Sequence, residues 1–127
     1  MQIDIILLNP LFDPDILESI LKKHILGDID IVLTDPGYLR ILNKRYRHID
    51  KTTDVLTFDL ADSENDVPEG VIYVDGRLFP PMDSLLERIF HGYLHLKGFT
   101  HDTKEEMDFM NLMVDKILDE ISKERSP

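Results

Sequence analysis

The sequence predicts an α/β (α+β) fold, a single domain over residues 1–127 with four strands and about four to five helices. Three observations carry that prediction. Segments rich in β-branched residues alternate with segments whose apolar residues recur at helical spacing. Asp13-Pro14 and Asp35-Pro36 each join an N-cap acid to a proline at the first helical position, a strong start signal. The chain then closes on two amphipathic stretches in succession, which sets two helices side by side at its end.

Taken in order, Gln2–Leu8 reads as a first strand ended by Asn9-Pro10. The helix opened by Asp13-Pro14 carries Ile16, Leu17, Ile20 and Leu21 as its apolar stripe and stops at Gly27. Asp28–Thr34 alternates apolar and polar residues, as a half-buried strand does. A second helix runs from Asp35-Pro36 through about Tyr46, with Leu39 and Leu42 on one face. Asp54–Leu60 and Gly70–Asp75 are two further strands, joined by a polar, acidic loop from Asp62 to Glu69. Ser84 and Glu87 have capping-box spacing and predict the start of a third helix, which ends at Gly98. Thr103 and Glu106 repeat that spacing before a last helix, whose buried stripe is Met107, Met110, Val114, Ile117 and Ile121. Helices so interleaved with strands predict a two-layer or three-layer arrangement.

Composition narrows the chemistry. Hydrophobic residues make up 43% and charged residues 31%, an ordinary globular balance. With no cysteine, disulfides, thiolate nucleophiles and Cys-based zinc sites are all excluded, so any metal must be held by His, Asp or Glu. An acid at Asp4 where a signal peptide carries Lys or Arg, and an apolar run from Ile5 to Leu8 too short to span a bilayer, predict a cytoplasmic protein without membrane association. The net charge of −11 opposes general attraction to nucleic acid, and no DNA partner is expected. Arg40, Lys44, Arg45, Arg47 and Lys51 nevertheless gather five of the 14 basic residues in one short stretch, broken only by Asp50. Such a patch can grip a polyanion locally, or it can simply solvate a helix face.

The strongest chemical signal is a histidine cluster. His91 and His95 stand four apart on a predicted helix, so their imidazoles share a face one turn apart. Gly98 ends that helix, and the turn brings His101 back toward the pair. Three neutral imidazoles leave the fourth tetrahedral position open, the pattern of a catalytic rather than a structural zinc site. One Zn2+ per chain is the expected cofactor, although nickel, iron or copper also suit three imidazoles. Such a metal lowers the pKa of bound water toward ~7 and makes hydroxide available at neutral pH. The same His spacing occurs in a large metalloprotease class, which places a glutamate general base directly after the first histidine. Here that position is Gly92, so the peptidase reading keeps its metal geometry and loses its proton-transfer residue. Asp102 is a carboxylate able to take that role, or to orient a ligand from behind, or to open the last helix. His24 and His48 stand apart from the cluster and receive no role.

Residues 91–101 resemble the hallmark H-G-x-L-H-L-x-G-[YF]-D-H of the YbeY endoribonucleases, differing only at Thr100. A second block of that family, L-N-x-x-Y-R-x-x-D-K-P-T-[DN]-V-L-S-F-P, is similar to Leu42 through Asp59. The resemblance implies a four-stranded mixed sheet packed with helices, with zinc held by His91, His95 and His101 at the histidine-bearing helix and the turn after it. It implies a single-strand-specific endoribonuclease in small-subunit rRNA 3′-end maturation and ribosome quality control, with ribosomal RNA and the small ribosomal subunit as partners. Arg47 corresponds to the arginine implicated in activity. It would offer planar donors to the phosphate. Lys44, Arg45 and Lys51 are then candidate RNA-backbone contacts, and Tyr46, Phe58 and Tyr73 candidate stacking rings, most of which are expected in the core. The chain departs from the family pattern at Thr52, Thr57, Asp59, Val71 and Thr100, and none of these removes a metal ligand. Two other functions share these residues: a metallopeptidase on the same three histidines, and a non-catalytic ribosome-binding factor.

Overall fold

Both Asp-Pro signals open helices in the computed structural model, which describes residues 1–8, 10, 13–61, 67–78 and 81–125. The carboxylate of Asp13 accepts from the backbone N–H of Asp15, and that of Asp35 from Tyr38, each at 2.9 Å. Capping of this kind contributes about 1 kcal/mol per helix. The helices so started are α1 (Pro14–His24) and α2 (Pro36–Arg47), followed later by α3 (Pro81–Leu96) and α4 (Lys104–Arg125). Helix α2 ends on His48, whose left-handed backbone (φ 59°) lets its N–H and that of Ile49 both reach the carbonyl of Asn43.

The strands β1 (Ile3–Ile5), β2 (Asp28–Thr34), β3 (Val55–Asp59) and β4 (Glu69–Asp75) form one mixed sheet in the order β1-β2-β4-β3. Strands β1, β2 and β4 run parallel, and β3 closes the edge antiparallel to β4. Register places Ile31, Ile72 and Thr57 in one row across the sheet, and Val32, Tyr73 and Leu56 in the adjacent row on the other face. The first face carries the main core, where Ile29, Ile31, Leu33, Ile72 and Val74 meet Leu17 and Leu21 of α1, Phe90 and Leu94 of α3, and Met110 of α4. The second face packs Leu56, Phe58 and Tyr73 against Leu39 and Leu42 of α2. Helices thus cover both faces, three on one side and a single helix on the other.

Several predicted boundaries move. β1 is only three residues long, because beyond Ile5 both Ile6 and Leu7 donate to the one carbonyl of Leu33 and regular pairing stops. The strand's predicted end at Asn9, and residues 62–66 of the acidic loop, lie outside the described residues. Helix α3 begins at Pro81, so Ser84 and Glu87 sit inside it rather than at its start. In α1, Leu17, Ile20 and Leu21 are buried while Ile16 is exposed, and in α4 Met107 is exposed while Met110, Val114 and Ile121 are buried. In both helices the buried stripe is narrower than the apolar one.

Candidate active site

Glycine decides how α3 lies on the sheet. A Cβ at Gly92 would meet Oγ1 of Thr57 at 2.7 Å and two carbons of Ile72 at 3.2 Å, so the helix backbone rests directly on β3 and β4 there. A glutamate, the metallopeptidase general base, has no room at that position. His91 and His95 flank this contact and are half-buried. Burial lowers both imidazoles below the ordinary value. For His91 the Glu87 carboxylate opposes that shift, and Arg88 and His101 reinforce it. For His95 the charge of His101 reinforces it, a hydrogen bond to the backbone of Phe99 opposes it, and the charges of His91 and Asp102 act in opposite directions. Both rings therefore favour the neutral form that a metal ligand requires.

The end of α3 sets the tautomer of His95. Gly98, at φ 98°, lets its own N–H reach the carbonyl of His95 and that of Phe99 reach Leu94, each at 3.0 Å, closing the helix in a Schellman motif. The carbonyl of Phe99 then faces Nδ1 of His95 at 3.1 Å. A carbonyl can only accept, so Nδ1 carries the proton and Nε2 keeps its lone pair. The ring of His101 returns edge-on to His95, with centroids 4.4 Å apart and planes at 80°. Two of the three predicted ligands are thus in ring contact, and the third lies one helical turn before them. Among the described residues no three His, Asp or Glu side chains already converge on one ion-sized point. The donor set suits a divalent transition metal: two partly desolvated neutral rings, one with its free nitrogen pre-set by a backbone partner.

Glu106 organises the turn that bears His101. Its carboxylate accepts from the hydroxyl of Thr100 and from the N–H of Asp102 (3.3 Å), while its own N–H donates to Oγ1 of Thr103 at 3.1 Å. The Thr103–Glu106 capping spacing is therefore present, with Glu106 reaching back to Asp102 and Thr100 rather than to Thr103. Thr100, which replaces a family carboxylate, brings the carboxylate of Glu106 to its side. Asp102 itself is exposed, and its charge acts on His95. Arg88 does not stand out in the sequence: it pairs with Asp54, just before β3 (3.4 Å), and with Glu87 (3.3 Å), one turn before His91. Phe99 and Arg88 give no separate signal and Glu106 signals only a helix start, because each acts on the site through a contact that exists only once the chain has turned.

The predicted basic residues lie on α2 and the loop after it. Lys44, Arg45 and Arg47 occupy the last turn of α2. Arg40 pairs with Asp50 at 2.8 Å and holds that carboxyl below the usual carboxylate range, with Lys44 reaching the same acid at 4.0 Å. Among the described residues Arg45, Arg47 and Lys51 make no ion pair, and all three are exposed. Asn43 is buried and donates from Nδ2 to the carbonyl of Lys51 at 2.8 Å, tying down the loop. Thr52, in place of a family proline, donates its hydroxyl to the carbonyl of Pro36 at 2.8 Å, and Asp59 accepts from the N–H of Ala61 at 2.9 Å as β3 ends. No bond joins Arg47 to the histidines among the described residues.

Fold and site together define an α/β domain with a histidine-centred site on one sheet face and a basic helix end on the other. The family model of endoribonuclease YbeY matches residues 14–87, ending before His91. An endoribonuclease YbeY from a Nitratiruptor species is 31% identical over 124 residues, covering 91% of this chain and 84% of that protein. Another from Thermotoga maritima is 39% identical over 101 residues, covering 71% and 65% respectively. The solution structure of TM1509 from Thermotoga maritima superposes with a TM-score of 0.51 at 29% identity, covering 98% of this chain and 94% of that one. The chain belongs to the YbeY endoribonuclease family, and its sheet and helices are those the resemblance implied. No helix among the described residues is long and apolar enough to cross a membrane.

Proposed function

We propose that this protein is a metal-dependent, single-strand-specific endoribonuclease of rRNA processing, acting in small-subunit 3′-end maturation and ribosome quality control in the cytoplasm. The observation that carries the reading is the pre-set His95 ring: Nδ1 engaged by the Phe99 carbonyl, Nε2 without a hydrogen bond among the described residues, and the His101 ring 4.4 Å away. His91, His95 and His101 would hold a single Zn2+ or related ion, which when bound supplies Lewis acidity and an activated water. Phe99 keeps His95 in the ligating tautomer, and Glu106 holds the turn that presents His101. Arg47, exposed and unpaired among the described residues, offers a planar fork of donors to an RNA phosphate, and Arg88 places a second cation beside His91. Lys44, Arg45 and Lys51 would position the strand through its backbone.

A peptidase reading is disfavoured by the close packing at Gly92, which leaves no space for a general base there. The deciding experiment assays pure protein on single-stranded RNA and on casein, with and without chelator, alongside His95→Ala and Arg47→Ala. RNA cleavage is expected to vanish with chelator and in His95→Ala, and to fall in Arg47→Ala, with casein intact. RNA cleavage that persists in His95→Ala overturns the mechanism. Binding to small subunits without any RNA cleavage would instead identify a non-catalytic factor.

A further inference from the structure

Helix α2 leaves part of its sheet face uncovered, and what remains open is aromatic. Four rings form a chain across it: Tyr46 to Phe58 at 5.4 Å and Phe58 to Tyr73 at 5.7 Å, both edge to face, and Tyr73 to Tyr38 at 6.2 Å, tilted, between centroids. With Arg45 and Leu60 they line a cavity of about 310 Å³, at the lower end of the range for small-molecule sites. Phe58 and Tyr73 pack against the core as expected of most of these rings, whereas Tyr46 is 58% exposed, and Tyr38, which the sequence did not single out, is 40% exposed. The rings are not purely apolar. Burial, and then the nearby phenols of Tyr38 and Tyr46, hold the hydroxyl of Tyr73 above its ordinary value.

Charge selects the occupant. The guanidinium of Arg45 lies 5.8 Å from the centre of the Tyr46 ring, and Lys44 and Arg47 share its helical turn. In a chain of net charge −11, this is a local excess of cations beside stacking surfaces. A second copy of the chain would bring its own −11 to the contact, and an apolar helix would leave Arg45 and the phenols without partners. A nucleotide satisfies both parts, with a flat base for the rings and a phosphate for the cation. We infer that this cavity takes a base of single-stranded RNA, stacked on Tyr46, with the adjoining phosphate on Arg45. The inference rests on the RNA-processing reading of the histidine site. The two sites occupy opposite faces of β3, since Thr57 meets α3 and its neighbour Phe58 meets α2. Because β3 is an edge strand, a flexible RNA can pass around it and engage both.

The test measures binding apart from cleavage. Full-length protein in chelator is titrated against a short fluorescein-labelled single-stranded RNA and followed by anisotropy. Tyr46→Leu should weaken binding about tenfold at unchanged Tm, whereas Tyr46→Phe, which keeps the ring, should stay within about twofold of the parent. Arg45→Gln should weaken binding and flatten its salt dependence. A Tyr46→Leu protein that binds RNA as the parent does overturns the inference and leaves this face to a protein partner. Cleavage by the metal-loaded protein is scored separately. Ring-dependent binding without cleavage counts against the nuclease reading alone, and cleavage with ring-independent binding counts against the cavity alone.

Discussion

A methyl group on residue 92 would meet Oγ1 of Thr57 at 2.7 Å and Cδ1 and Cγ2 of Ile72 at 3.2 Å, all within the seat of α3 on the sheet. Thr57 is β-branched, so its χ1 is stiff, and one of its two alternative rotamers swings its own methyl group toward the same space. Gly92→Ala must therefore lift the helix by a few tenths of an ångström or displace both neighbours. Overpacking of this kind costs about 1–3 kcal/mol. Helix propensity acts in the opposite direction, favouring alanine by about 1 kcal/mol. The net expectation is a loss of about 1 kcal/mol, or a fall in Tm of roughly 4 °C for a domain of this size.

A double-mutant cycle separates the clash from general effects. Thr57→Ala removes the nearest atom and leaves the two Ile72 carbons as the next contacts, so Gly92→Ala should cost about 1 kcal/mol less in that background. Urea denaturation of the four metal-free proteins, followed by circular dichroism, gives the coupling directly. If Gly92→Ala were as stable as the parent in both backgrounds, α3 would not be seated at this residue. The steric argument against a glutamate there, and with it the structural case against a peptidase, would fall too.

Other expectations follow from the site. The parent should retain a stoichiometric divalent metal through gel filtration and His95→Ala should lose it, as read by elemental analysis; equal metal content in both would remove His95 from the ligand set. Burial lowers His91 and His95, so below the ordinary imidazole value of 6.5 the unfolded chain binds protons that the folded chain refuses. Stability of the metal-free protein should thus be full above that value and decline as pH falls through it, and a Tm profile flat across that interval would contradict the assignment. Glu106→Gln should lower metal affinity about tenfold by loosening the His101 turn, measured by competition with a chromogenic chelator. Asn43→Ala removes the bond to the Lys51 carbonyl and should destabilise by about 1–2 kcal/mol in urea titrations, with loss of RNA affinity if the loop contacts substrate.

Local rules reach far into this fold where the information is itself local. Asp-Pro pairs, the alternation in Asp28–Thr34 and glycine at the end of α3 act on residues that are neighbours in sequence, and each appears as expected. The start of α3 escapes such rules, because Ser84 and Glu87 have capping spacing yet lie inside a helix that already begins at Pro81. The histidine site divides in the same way. The shared face of His91 and His95 follows from helical periodicity, but the Phe99 carbonyl behind His95 and the Glu106 tether require the turn to be built.

The aromatic cavity shows why the remainder was not legible. Period-two alternation in β3 assigns Thr57 to one face and Leu56 and Phe58 to the other, and that much is readable from the strand. Which face stays open depends on how the helices divide, and a sequence does not announce that α1, α3 and α4 all pack on the same side. With α2 left alone on the second face, its twelve residues cannot cover both edges of two strands, and Leu39 and Leu42 are committed to Leu56. Tyr38 and Tyr46, toward either end of that helix, then project past its contact line over Tyr73 and Phe58. Their exposure follows from the imbalance between layers rather than from any local propensity, so a search for function in such a fold should begin on the face with too few helices.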